Sequence, residues 1–152
     1  MTTLKQTVTN GQDRRITTKR AYLSGCSLMR VNVYETGTEA ATGENNYIEI
    51  MTEYWSYSTL IALWIGGKGL YVNDQNYSQT TACHYRKVLK DYLKDYSHTC
   101  YTEDSFNVKA YRKAFPNRVL EHHKLLDLRE EARYGDSLDE LLKSFYAVKA
   151  GE

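Results

Sequence analysis

Paired cysteines are missing from this sequence. Its three cysteines, Cys26, Cys83 and Cys100, are odd in number, lie far apart and include no CxxC. That speaks against a disulfide framework and for free thiols in a reducing compartment. Long apolar runs are missing too. Nothing approaches the roughly 20 residues needed to cross a bilayer, and residues 1–20 are polar rather than leader-like. A cytoplasmic protein without membrane contact is expected. An excess of one charge is also missing: 20 Lys and Arg stand against 19 Asp and Glu, for a net charge of +1. A general nucleic-acid binder is usually clearly basic, and a protein imitating DNA strongly acidic, so weak or no binding of free nucleic acid is expected. Catalytic signatures are absent as well. HExxH, GxSxG, a P-loop, GxGxxG and a paired-carboxylate pattern do not occur. No cofactor, no metal and no catalytic residue is expected, and the chain reads as a non-enzyme.

What is present is an ordinary globular composition, 41% hydrophobic and 26% charged over 152 residues. This predicts one domain, residues 1–152, with a core of useful size. Residues 1–13, polar and containing Gly11, read as a flexible arm. Arg14, Arg15, Lys19 and Arg20 follow. They suit either a phosphate or acidic partner, or a solvated strand edge whose charges discourage pairing.

Period-two patterning marks strands at residues 28–34 and 47–54. Alternation over 47–54 puts Ile48, Ile50, Thr52 and Tyr54 on one face and Tyr47, Glu49, Met51 and Glu53 on a partly wet one. The most apolar stretch is 56–65. Its faces read Tyr57, Thr59, Ile61, Leu63, Ile65 against Ser58, Leu60, Ala62, Trp64, so it is expected to be covered on both sides. The Gly66-Gly67-Lys68-Gly69 turn returns the chain through residues 69–73 as a hairpin. A helix then spans 78–96, with Tyr85, Val88, Leu89, Tyr92, Leu93 and Tyr96 as its stripe, packed on the hairpin.

Beyond His98 the pattern is helical. One helix opens at Thr102-Glu103-Asp104, shows Phe106, Ala110 and Ala114, and stops at Pro116. A second is capped by Asn117 and runs to about Tyr134, ended by Gly135. A third opens on the capping box of Ser137 and Glu140, with stripe Leu138, Leu141, Leu142 and Phe145. The fold class is α+β: an antiparallel sheet of about three to five strands in the N-terminal half, then about four helices in the C-terminal half.

Fourteen tyrosines against three phenylalanines are the compositional oddity. Tyrosine suits both the rim of a core and a contact surface. Those at strand ends, wet faces and helix margins are Tyr22, Tyr34, Tyr47, Tyr54 and Tyr101. With the basic helix face of Arg86, Lys90 and Lys94 they form the candidate binding residues. Ser78, Thr80, Thr81 and His84 gather at a helix start, which suits either an anion site or plain capping. Cys83 there is either a reactive thiol or a small packing residue.

The stretch Ser56-Tyr57-Ser58-Thr59-Leu60-Ile61-Ala62, followed by Tyr77-Ser78-Gln79-Thr80-Thr81-Ala82-Cys83-His84, resembles small uncharacterised proteins of phages and other mobile elements. They share a Ser-Tyr-x-Thr strand and then Tyr-Ser-x-Thr-Thr-x-x-His opening a helix. The resemblance covers about a quarter of the chain and implies a mobile-element origin, with the bacterial host cell as the site of action. Combined with the missing signatures, it points to an accessory protein that binds a host macromolecule stoichiometrically, such as an inhibitor of a defence nuclease of the CRISPR type. A nucleic-acid-binding regulator and a small enzyme centred on His84 are the alternatives.

Overall fold

The computed structural model describes residues 2–9, 12–25, 27–38, 45–93 and 107–150, with side chains at 15–25, 27–37, 46–93 and 107–145. Strands β1 (Thr2–Thr9), β2 (Gln12–Ser24), β3 (Leu28–Thr38), β4 (Asn45–Ser56), β5 (Thr59–Ile65) and β6 (Gly69–Asn73) form an antiparallel meander. Helices α1 (Gln79–Leu93) and α2 (Val108–Ala114) follow, then a 3₁₀ turn at Pro116–Arg118. A two-residue strand, β7 (Val119–Leu120), pairs parallel to β6. Helices α3 (His122–Tyr134) and α4 (Leu138–Ala150) complete the chain.

The fold is thus α+β, but the sheet has seven strands and is mixed. Residues 2–9, expected in an arm, are strand β1, with Thr2 to Thr9 paired to Lys19 to Gln12. Residues 119–120, expected inside a helix capped by Asn117, join the sheet instead: Val119 and Leu120 pair with Val72 and Asn73. Glu121 takes the N-cap position of α3, with no capping bond from its side chain. A parallel partner requires a crossover connection, which α1 and α2 supply.

Helices cover both faces of β5, as its two-sided apolarity demands. On one face Val33, Met51, Leu63 and Ile65 pack against Leu125 and Leu128 of α3 and Leu142 and Phe145 of α4. On the other, Ala62, Leu70 and Val72 pack against Tyr85, Val88 and Leu89 of α1 and Val108 and Tyr111 of α2. In α2, Ala110 and Ala114 are exposed rather than buried. Asn107 sets the helix register: its Oδ1 accepts from the Lys109 and Ala110 amides, which turns Val108 and Tyr111 inward.

Two bulges decide which residues share a face. Val33 pairs with Met51 but Tyr34 with Glu49, leaving Ile50 extra. Tyr54 pairs with Ala62 but Trp55 with Leu60, leaving Ile61 extra. An inserted residue reverses the alternation beyond it. Ile50 therefore joins Met51 in the α3–α4 core, and Glu49 turns to the face that carries Thr52 and Tyr54. Likewise Leu60 joins Leu63 and Ile65, while Ile61 joins Ala62 and Trp64. The strict alternation read along 47–54 and 56–65 fails at these two points. Bulges also add twist, and α3 lies close to β1 as well as β4, β5 and β6, so the sheet coils around it.

Glu53 was expected on a wet face. It is fully buried between the sheet and α3. Its Oε2 accepts from Arg133 Nε at 2.9 Å and forms an ion pair with Arg129 at 2.9 Å, while Oε1 accepts from Trp55 Nε1 at 2.9 Å. The cap of α4 differs too. Glu131, from the preceding helix, accepts from the Ser137 amide at 2.7 Å and the Ser137 hydroxyl at 2.6 Å. These hydrogen bonds hold the Glu131 carboxyl below its ordinary pKa.

Candidate functional site

Polar side chains gather at two places. The first is the sheet end where the β2–β3 turn, the β4–β5 turn and the start of α1 meet. His84 is buried there, with Ser56 Oγ 2.7 Å from Nδ1 and Ser27 Oγ 3.1 Å from Nε2. Ser27 Oγ also donates to Ser24 O at 2.9 Å. Its one proton is thereby used, so it accepts from Nε2–H, and Ser56 donates to Nδ1. The ring is the neutral Nε2–H tautomer. Burial, and then the nearby Lys87 charge, push its pKa below the ordinary value.

Ser78 caps α1: its Oγ accepts from the Thr81 amide at 3.2 Å. Thr81 is buried, Thr80 is exposed, and His84 gives both ring nitrogens to serines of the sheet end. The Ser78, Thr80, Thr81 and His84 group thus acts as cap and lock, with no ring nitrogen turned to the helix end. Cys83 is exposed rather than packed.

The motif tyrosines lie at this same end. Tyr57 and Tyr77 have positive φ, 53° and 62°, and are 65% and 54% exposed. Left-handed backbone costs an L-residue about 1–2 kcal/mol, so such positions persist only where surrounding structure over-determines them. Here it does. The Tyr57 amide donates to Ser27 O at 2.8 Å, and its ring lies 5.9 Å from that of His84. Asn73 Nδ2 donates to Tyr77 Oη at 2.8 Å and to Leu60 O at 3.2 Å. Residues 74–80 are all exposed, yet their backbone is pinned. Tyr85 Oη donates to Gln75 O at 2.6 Å, the Asp74 amide donates to Leu120 O at 3.0 Å, and Arg112 Nη2 donates to Gln75 O at 3.3 Å.

The second place is a cleft of about 300 Å³ on the sheet face carrying α1. Register stacks its lining in rows: Lys19, Asn32, Thr52 and Trp64 across β2–β5, Tyr34 beside Glu49, and Arg30 beside Tyr54. Asp91 and Tyr92 of α1 form the wall. Arg30 Nη1 donates to Asp91 Oδ1 at 2.6 Å, and Tyr54 Oη to Asp91 Oδ2 at 2.8 Å. Arg30 Nε donates to Asn32 Oδ1 at 3.1 Å, and Asn32 Nδ2 to Glu49 Oε1 at 2.8 Å. Thr52 Oγ1 donates to the same Glu49 oxygen. Burial and then Asp91 raise the Tyr54 pKa, while burial and then Glu49 raise that of Tyr34.

Of the predicted contact residues, Tyr22 and Tyr47 are exposed, at 60% and 56%. They do not form one patch. Tyr22 pairs with Met29, which packs toward the α3–α4 core, whereas Tyr47 lines the opposite face with Tyr34. Tyr34 is half-buried. Tyr54 is buried, against expectation, because pairing with Arg30 and Ala62 sets it beneath α1 with its hydroxyl on Asp91. Arg86 and Lys90 are exposed on α1. Lys94 and Tyr101 lie outside the described residues. Sequence reasoning did not single out Tyr57 and Tyr77 as exposed tyrosines, though both stand inside the motif. It also missed the cleft, whose members come from five elements.

Among the described residues no helix is long and apolar enough to cross a membrane. No curated protein and no solved structure matches the chain. One family model does, over residues 14–106. That segment contains the whole lining of the cleft and all of Ser27, Ser56, Tyr57, Tyr77 and His84, whereas α3 and α4 lie beyond it. The match spans more than half of the sequence, and the chain belongs to the family of unknown function DUF8033.

Proposed function

We propose that this protein acts by stoichiometric binding to a host protein, and that a bacterial defence nuclease of the CRISPR type is the target its mobile-element resemblance suggests. One observation carries the reading: the pinned, exposed rim of residues 74–80 with Tyr57 and Ser58 beside it. Its side chains are Tyr, Ser, Asn, Gln and Thr, with Asp74 as the single charge. Tyrosine offers a large contact area at low entropic cost, and the small polar residues offer adaptable hydrogen bonds, which is the chemistry of protein-recognising loops. A fixed backbone lowers the ordering cost of binding. The rim residues themselves carry no cation, and the Arg112 guanidinium beside them is taken up by Asn73, Gln75 and Asn76, which suits a protein surface better than a phosphate backbone.

The test is a titration of nuclease activity against a panel of purified CRISPR effectors. Inhibition that saturates near one inhibitor per target is expected. Tyr57→Asn and Tyr77→Asn remove the rings while keeping a residue that tolerates left-handed backbone. Each should keep the melting temperature and weaken inhibition at least about tenfold, a loss of roughly 1.4 kcal/mol. Inhibition that grows with time at trace protein would mean turnover and would overturn the reading.

A further inference from the structure

Lys19 and Glu49 line one cleft, yet neither has an ion-pair partner among the described residues. The other charges there are matched, since Arg30 is held by Asp91. Lys19 stands on β2 and Glu49 on β4, with β3 between them. Lys19 shares a row with Asn32 and Glu49 with Tyr34, so two strand spacings and a two-residue offset set the two side chains roughly 12 Å apart at their roots. Opposite charges in a shared cleft gain by meeting, so a gap between them leaves room for a ligand that bears both signs.

We infer that this cleft binds a small zwitterion of the α-amino-acid type, with its carboxylate toward Lys19 and its ammonium toward Glu49. An ammonium and carboxylate about 3 Å apart, plus a hydrogen bond of about 2.8 Å at each end, span roughly 9 Å, a length that the long Lys19 and Glu49 side chains can close on from the two sides of the cleft. Glu49 is already oriented, because Asn32 and Thr52 both donate to its Oε1, and among the described residues no donor takes its Oε2. A second depression of about 340 Å³ adjoins the cleft, sharing Lys19 and Tyr34 and adding Thr17 and Tyr47. It suits an apolar or aromatic side chain lying against the two tyrosines. The inference is independent of the protein-binding reading, which rests on the opposite end of α1.

Calorimetry with the full chain and three probes tests it: L-phenylalanine, its N-acetyl derivative and its amide. The free amino acid should bind saturably, and blocking either end should weaken it at least about tenfold, as expected for a lost charge-assisted bond. Glu49→Gln keeps an acceptor for Asn32 and Thr52, and should erase the preference for the free amine while leaving that for the free carboxylate. Lys19→Met should do the reverse. A thermal melt of each variant checks its folding. No saturable binding by phenylalanine or any other free amino acid at millimolar concentration would overturn the inference. So would equal binding of the blocked forms, or wild-type selectivity in folded variants.

Discussion

His84 and Glu53 are two buried polar residues with opposite logic. The pKa of His84 is depressed by burial and by Lys87, so the unfolded chain takes up a proton at higher pH than the folded one. The stability that this neutral ring contributes is full above the ordinary value of about 6.5 and is lost as pH falls below it. The melting temperature should therefore drop between about pH 7 and 5, and His84→Asn should flatten that slope. An unchanged slope in the variant would refute the tautomer argument. The Glu53 carboxyl is held by two arginines and a tryptophan. Glu53→Ala strands Arg133, which is itself buried, and should cost about 3–5 kcal/mol in denaturant unfolding. A loss under about 1 kcal/mol would show that the arginines find water instead.

At the level of elements, α1 carries the packing that closes one face of the sheet. Leu89 is fully buried among Ile61, Ala62, Leu70 and Tyr85. Leu89→Ala should cost about 2–5 kcal/mol, with the loss read from the shift in denaturant midpoint. The helix itself was legible: Ser78 caps it, and Tyr85, Val88 and Leu89 face inward as their spacing demands. The β5–β6 hairpin was legible for a similar reason, since glycines at 67 and 69 take positive φ where the chain reverses. The faces of β4 and β5 were not. A bulge is one extra residue in a ladder, and it depends on what the neighbouring strand offers rather than on local pattern. Asp91 follows Lys90 in the sequence, but Arg30 and Tyr54 draw it into the cleft.

At the scale of the whole molecule, near-neutral charge and the placement of cations shape what the surface can do. Arg86, Lys87 and Lys90 are exposed along α1, and Lys87 Nζ also donates to Ser24 Oγ at 2.8 Å. Binding to generic single- or double-stranded DNA should be weak and fall steeply between about 50 and 200 mM salt. Tight, sequence-selective binding at the higher salt would favour the regulator reading over inhibition by protein contact. Chelator should leave the melting temperature unchanged. A drop of several degrees, with zinc near one per chain in elemental analysis, would overturn the expectation of a metal-free protein.

Local rules set much of this chain by themselves. Apolar runs fixed where β5 and α1 lie, glycines fixed the tight turn, and Pro116 ended α2, because each follows from backbone sterics and burial within a few residues. Tertiary structure alone decided the rest. β1 depends on β2 for its ladder, and β7 on β6, a strand some forty-five residues earlier in the sequence. The cleft depends on a bulge at Ile50 that turns Glu49 toward Asn32 and Thr52. The lock around His84 needs serines from two turns far from it in sequence. These are long-range pairings, whose free energy resides in contacts that no short window of sequence contains.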